Sequence, residues 1–162
     1  MMAATEKHTI SCLVENHFGV LARVSGLISA RAFNIDSLTV STTEDPTISR
    51  MTIVVDADAI KLEQVKHQLN RLIDVIEVHE LKDGEFLDRE LLLARVNANG
   101  TTRSSLEQLA RQFGARLVDT TDHAVIIEAA GDTKTLDRLV EQLRPHGITK
   151  LVRTGRVALE RS

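Results

Sequence analysis

One order of hydrophobic patterns occurs twice along this chain, and it constrains the fold more than any other feature. Apolar residues that alternate with polar ones indicate strands, whereas apolar residues three and four positions apart indicate amphipathic helices. Both halves follow the order β-α-β-β-α-β, although they share little residue identity. A chain with this order is predicted to form units in which two helices cover one face of a sheet.

The predicted fold class is α+β, with two ferredoxin-like βαββαβ sandwiches in tandem. A polar tail at 1–7 precedes the first unit at 8–81, and the Gly84-containing segment 82–89 is the predicted linker to the second unit at 90–162. The first unit is predicted to have strands at 8–15, 35–42, 48–56 and 75–81, with helices at 20–33 and 59–72, the latter capped by Asp58. The second unit is predicted to have strands at 90–98, 117–121, 124–129 and 149–159, the last interrupted by Gly155. Its helices are predicted to end at Gly114 and before Pro145.

Composition excludes several classes of function. Lys and Arg number 20 against 23 Asp and Glu, and the net charge of −3 indicates no basic surface for nucleic acid. Aromatic residues make up 2% of the chain and all are Phe, so the sheet lacks the stacking platforms of RNA-binding domains with this element order. The first residues lack the apolar core of a signal peptide, and no apolar run is long enough to cross a bilayer. We expect a cytoplasmic protein without a nucleic-acid or membrane partner.

Spacing along the sequence shows no catalytic or metal-binding set. The six histidines do not cluster at ligand spacing, and phosphate-loop, dinucleotide and nucleophile-elbow motifs are absent. The single cysteine, Cys12, alternates with Ile10 and Val14 and is expected to be a buried structural thiol. Asp36 and Glu77 could form an acid pair, but one-sided strands normally expose such residues. The sequence therefore favours a binding or regulatory module.

The turn after the first strand is the best candidate for a ligand site. Gly19 precedes the first helix, and free backbone amides at Gly19 and Val20 could hold a carboxylate or phosphate. Asn34 lies at the opposite end of that helix, just before the second strand. A tight turn that needs a glycine explains the same residues, and spacing alone favours that simpler interpretation.

The residues around this turn resemble the opening of an ACT domain, a small amino-acid-sensing module. More narrowly, the chain resembles the small regulatory subunit of acetohydroxyacid synthase (acetolactate synthase). Its segments ENHFGVLARV at 15–24 and FNIDSLTV at 33–40 follow that family's E-N-x-x-G-V/A-L-x-R-V and F/Y-N-I-x-S-L-T-V motifs. Further matches follow in order over nearly the whole chain: 49–53, 62–75, 89–91, Val118-Asp119, Lys134 with Leu136, and 153–159.

The resemblance implies a non-catalytic subunit that activates a thiamine-diphosphate-dependent catalytic subunit and confers feedback inhibition by a branched-chain amino acid, usually valine. It also implies a homodimer formed through the ACT domain. No cofactor is expected on this chain, because thiamine diphosphate, magnesium and FAD would belong to the catalytic subunit. The alternative is a free-standing ACT-type sensor that controls another enzyme or a transcription factor. A small enzyme on the same fold is disfavoured, since no acid–base pair or nucleophile stands out.

In such proteins the effector lies between the ACT domains of two chains. Carried over by motif, Asn16, Gly19 and Val20 come from one chain, and Asn34 and Ile35 come from the other. The amides of Gly19 and Val20 would hold the effector's carboxylate, and the two asparagine side chains could bind its ammonium and carboxylate groups.

Four neighbouring residues leave alternatives open. Leu21 and Val24 could line the pocket for the effector's side chain or belong to the core, and we favour the core. His17 and Phe18 stand where the family often has small, polar or proline residues. Phe18 would narrow the site or cap the interface. His17 is either a source of pH sensitivity or a solvated loop residue, and we favour the solvated loop residue.

Overall fold

The predicted element order is present in both halves. In the computed structural model, which describes residues 6–30 and 33–162, the first half contains β1 (Glu6–Glu15), α1 (Val20–Ala30), β2 (Asn34–Thr42), β3 (Ile48–Ala57), α2 (Ala59–Leu69) and β4 (Val75–Leu81). The second half contains β5 (Phe86–Asn97), α3 (Arg103–Gln112), β6 (Arg116–Thr120), β7 (Ala124–Gly131), α4 (Thr133–Leu143), β8 (Ile148–Arg153) and β9 (Val157–Glu160). The α+β fold with two βαββαβ sandwiches is thereby confirmed.

The first sheet has the strand order β2-β3-β1-β4, with antiparallel neighbours. Alternate residues of β1 and β3 point toward α1 and α2, as the period of two in their sequences predicts. These residues form an almost wholly aliphatic core with the buried stripes of the two helices. Its buried members are Ile10, Cys12, Val14, Val20, Val24, Ile28, Phe33, Met51, Ile53, Val55, Ala57, Leu62, Val65 and Leu69.

The second sheet has the order β6-β7-β5-β8 and a separate aliphatic core under α3 and α4. Helix α4 begins after Asp132, whose carboxylate accepts a hydrogen bond from the amide of Thr135 at 2.8 Å. In the first unit, Asp58 caps α2 in the same way through the amide of Lys61, also at 2.8 Å, which confirms the predicted cap. Each such cap contributes about 1 kcal/mol to helix stability.

The end of the chain confirms the predicted strand at 149–159 and its interruption at Gly155. Gly155 has a φ of +85°, a conformation that side-chain-bearing residues rarely adopt, and the chain turns there to make two strands. Arg156 then donates a hydrogen bond to the hydroxyl of Thr9 at 2.6 Å, and the amide of Arg161 donates to the carbonyl of Glu85 at 2.8 Å.

The compact units accordingly have different bounds from the predicted ones. The first comprises the described residues up to Leu87 together with Arg156–Ser162, and the second comprises Asp88–Gly155. The predicted linker at 82–89 contains the start of β5, and the last seven residues of the predicted second unit at 90–162 belong to the first. None of the helices in the described part of the chain is long and apolar enough to cross a membrane.

Cys12 provides a direct test of the first core. Its side chain is fully buried, as predicted, and burial raises the pKa of its thiol to about 12. Because only the thiolate attacks disulfide reagents, we expect labelling of native Cys12 by an aromatic disulfide at pH 8 to be at least ~100-fold slower than labelling in urea. Rapid labelling of the folded protein would contradict this core.

Candidate functional site

The turn between β1 and α1 is fastened to the loop between β2 and β3. The amide of Asn16 donates to the carbonyl of Thr47 at 2.7 Å, and its side-chain Nδ2 donates to the carbonyl of Pro46 at 2.9 Å. No donor among the described residues contacts Oδ1 of Asn16, which leaves this oxygen available as an acceptor. The Asn16 side chain is therefore held in one orientation with its oxygen available to a ligand.

Gly19 has a φ of +87°, so the turn requires a residue that tolerates the left-handed region. Its carbonyl accepts the first α-helical hydrogen bond of α1, from the amide of Arg23 at 3.1 Å. Val20, the next residue, is buried in the core, so only its backbone could contact a ligand. The amide of Val20 donates a long hydrogen bond of 3.5 Å to the carbonyl of His17, and the first amides of α1 otherwise lack acceptors within the helix, as at any helix N-terminus. The glycine is thus needed for the backbone conformation, whether or not a ligand binds here.

Arg23 and Asp74 form an ion pair at this turn. Nε of Arg23 donates to Oδ2 of Asp74 at 2.7 Å, and Nη1 lies 3.3 Å from the point that a Cβ on Gly19 would occupy. The side chain of Asp74 is only 6% exposed, and its backbone carbonyl accepts a hydrogen bond from the amide of Glu15 at 2.9 Å. The hydrogen bond from Arg23 holds the pKa of the Asp74 carboxyl below its usual value. Asp74 therefore stays ionised at neutral pH and fixes the guanidinium beside Gly19.

His17 joins the same cluster. Its Nε2 lies 3.0 Å from Oδ1 of Asp74 and 3.1 Å from Oε2 of Glu15. Glu15, His17 and Asp74 each offer one potential metal-ligating atom, and these atoms lie within 4.8 Å of one another. The Arg23 guanidinium, however, already supplies a positive charge to Asp74, so we interpret the cluster as an ion-pair network. The His17 side chain is 47% exposed, as expected of a loop residue, but its Nε2 also contacts two carboxylates.

Sequence spacing missed this cluster. Asp74 follows α2, far along the chain from Glu15, and only the pairing of β4 with β1 brings it to the turn. The aspartate between Ile73 and Val75 resembles an ordinary helix-ending residue. A pairing calculation between the two strands could have placed it near Glu15, but no local pattern could.

Asn34 and Ile35 lie at the other end of the first sheet. Asn34 is exposed and stands opposite Asp56, whereas Glu15, next to the turn, stands opposite Ile48. Ile48 and Asp56 are eight positions apart along β3, which corresponds to about 27 Å at the rise of a β-strand. Ile35 packs against the core, so its backbone is the part available to a ligand. Within one chain, the two predicted halves of the site are too far apart to bind one amino acid.

The prediction that Leu21 belongs to the core is wrong, whereas Val24 is buried as expected. Leu21 is 46% exposed because it lies about 100° around the helix from Val20, outside the buried stripe. Phe18 in the turn and Ile73 beside Asp74 are 99% and 94% exposed. Three large apolar side chains next to the turn and to Asp74 in the sequence are therefore exposed.

Comparisons with known proteins agree over both halves of the chain. Residues 10–77 match a family model described as an AHAS small subunit-like ACT domain, and residues 89–162 match one described as the small subunit of acetolactate synthase. The probable acetolactate synthase small subunit of Archaeoglobus fulgidus is 48% identical over 155 residues, which cover 96% of this chain and 97% of the relative. The acetolactate synthase small subunit of Mycobacterium leprae is 45% identical over 160 residues, which cover 99% and 95%.

A solved structure supports the same relationship. The crystal structure of the acetolactate synthase small subunit from Thermotoga maritima matches with a TM-score of 0.88 at 30% sequence identity, and the match covers 97% of this chain and 98% of that one. Sequence and structural similarity therefore extend over nearly the full length.

Asp74→Asn tests the ion-pair network through the pH dependence of stability. The pKa of the Asp74 carboxyl is lower in the folded state than in the unfolded state. Asp74 therefore stabilises the folded protein at pH values above its unfolded-state pKa, and this contribution is lost as the pH falls through its folded-state pKa. Urea unfolding should therefore show the wild type to be more stable than Asp74→Asn at pH 7, with a difference that shrinks below the ordinary Asp value of 3.8.

The exposed Asp83→Asn variant is the matched control for this experiment. It removes an aspartate that has no ion pair in the described part of the chain, and we expect the same stability as the wild type at each pH. A difference between wild type and Asp74→Asn that stays constant from pH 7 to pH 3 would contradict the network.

Proposed function

The chain belongs to the family of acetolactate synthase small subunits, and we propose that it activates the catalytic subunit of that enzyme and confers feedback inhibition by a branched-chain amino acid, with valine the first candidate. The matches at 10–77 and 89–162 carry this proposal, because they include both the ACT domain and the second unit in the family's order. In this proposal the chain acts in the cytoplasm and catalyses nothing itself. Thiamine diphosphate, magnesium and FAD belong to the catalytic subunit.

The proposed effector site is shared between two copies of the chain. One copy contributes Asn16, Gly19 and Val20, and the other contributes Asn34 and Ile35. The separation of about 27 Å within one chain supports this arrangement, since a single chain cannot bring both sets to one amino acid.

The sheet order suggests how two copies could meet. Strand β2 lies at the edge of the first sheet, where its outer backbone groups can pair with another strand. Antiparallel pairing of two β2 strands would set Asn34 of one copy beside Thr42 of the other. Thr42 pairs with Ser49 at the same end of the sheet as Glu15 and the Gly19 turn. A β2-to-β2 dimer would therefore place Asn34 of one copy at the same end of the sheet as the Gly19 turn of the other copy.

The chemistry of the two halves suits a free amino acid. The amides at the start of α1 can receive the carboxylate, and Oδ1 of Asn16 can accept a hydrogen bond from the ammonium group. Feedback then requires that valine bind one state of the enzyme complex more tightly than another, with a coupling of about 1–3 kcal/mol.

Gly19→Asp tests the site in the reconstituted enzyme. The new carboxylate would lie beside Arg23, where the effector's carboxylate is proposed to bind, and the strained φ would cost about 1–2 kcal/mol. We expect the variant to abolish valine inhibition while the chain still folds and raises the activity of the catalytic subunit. The measurement is acetolactate formation with and without valine.

Gly84→Asp is the matched control, because Gly84 has a similar φ of +90° and open space around it. It should retain both activation and inhibition. Valine inhibition that survives in Gly19→Asp would rule out the proposed site. If the wild-type chain neither activates nor binds the catalytic subunit, the free-standing ACT-type sensor becomes the better explanation.

A further inference from the structure

We propose that Arg23 binds the carboxylate of the amino-acid effector and that buried Asp74 positions it to do so. This inference rests on the proposed function, because it adds a residue to the same effector site. It assigns a ligand-binding role to a side chain that the motif comparison did not place in the site.

The position of Arg23 follows from helix geometry. Arg23 lies one turn after Gly19 in α1, and long side chains on a helix point back toward its N-terminus. The guanidinium accordingly returns to the turn, where Nη1 lies 3.3 Å from the position of a Cβ on Gly19. A side chain on residue 19 would crowd this group, so the glycine leaves the space in front of Arg23 open.

Most of the donor capacity of Arg23 remains available. A guanidinium carries five N–H donors, and Asp74 receives the one on Nε. Among the described residues, no acceptor is bonded to Nη1 or Nη2, and the side chain is 47% exposed. These nitrogens form the planar fork that pairs with a carboxylate through two parallel hydrogen bonds. Arg23 can therefore bind Asp74 and an effector carboxylate at the same time.

Asp74 makes this arrangement rigid. Its side chain is 94% removed from solvent and its backbone is hydrogen-bonded to Glu15 of β1, so Arg23 is anchored to the sheet instead of moving freely. An anchored guanidinium loses less side-chain entropy when a ligand binds. The carboxylates of Asp74 and Glu15 offset the positive charge of Arg23 at this turn. A site with both signs of charge suits a zwitterionic amino acid better than a simple anion.

A purely structural role is the competing explanation, because the same ion pair ties α1 to the loop before β4. The two explanations differ in what happens to ligand binding. A structural pair would contribute to folding stability, and its loss would leave the affinity of the folded protein for valine unchanged. A binding role requires the affinity for valine to depend on the charge at position 23.

The experiment measures valine inhibition of the reconstituted complex and valine binding by calorimetry. Arg23→Gln keeps the length and polarity of the side chain but removes its charge, and we expect the dissociation constant for valine to rise at least tenfold. Arg23→Lys restores the charge without the fork and should recover part of that loss. Arg71→Gln, an exposed arginine in the same unit, is the control and should bind valine as the wild type does.

A double-mutant cycle tests the positioning role of Asp74. If Asp74 acts only through Arg23, Asp74→Asn should weaken valine binding in the wild-type background and have no further effect in Arg23→Gln. Equal effects in the two backgrounds would overturn the positioning role.

The outcomes also separate this inference from the proposed function. Wild-type protein that binds valine, leucine and isoleucine no better than alanine would contradict the effector site itself. Two results with wild-type protein that does bind valine would contradict only the role of Arg23. The first is a dissociation constant for Arg23→Gln within threefold of the wild-type value, and the second is a dissociation constant for Arg23→Lys as high as that of Arg23→Gln.

Discussion

The antiparallel register of the first sheet is the constraint on which the proposed regulation depends. It fixes the Gly19 turn at one end of the sheet and Asn34 at the other, about 27 Å apart. Residues that the family motif groups into one site therefore cannot meet within a chain. An effector that needs both sets would bind only where two chains meet, and its binding would then depend on how those chains are arranged. This geometry gives a physical route from the binding of a small molecule to a change between subunits.

Asp74 is the second organising feature, because it links three elements at the turn. Its backbone is bonded to β1, its carboxylate is bonded to α1 through Arg23, and His17 of the turn lies beside it. A buried carboxylate is stable only when it is paired and hydrogen-bonded, and Arg23 provides this pairing for Asp74. Removal of the Asp74 carboxylate would in turn leave the Arg23 guanidinium without its anchor. The same network that holds the turn in shape thus presents a guanidinium to the space in front of Gly19.

The fold was predictable from the sequence because its signals are local. Alternation in β1 and β3, the apolar stripes of the helices and the Asp58 cap each depend on residues close together in the chain, and all three are present. The errors arise where a position lies at the margin of a pattern or where distant segments meet. Leu21 was assigned to the core although it lies one residue outside the buried stripe, whereas the interruption of the last strand at Gly155 was predicted correctly. The contact of Asp74 with Arg23 depends on strand pairing, which local patterns do not contain.

The most direct test of the shared site uses a dimer of two differently tagged chains, one carrying Asn16→Ala and the other Asn34→Ala. If each site combines Asn16 of one chain with Asn34 of its partner, one site in this mixed dimer keeps both asparagines and the other loses both. Calorimetry should then give one valine site of wild-type affinity per dimer, whereas dimers of the double variant should give none. A mixed dimer without any site of wild-type affinity would contradict the shared arrangement, because sites formed within single chains would each have lost one asparagine.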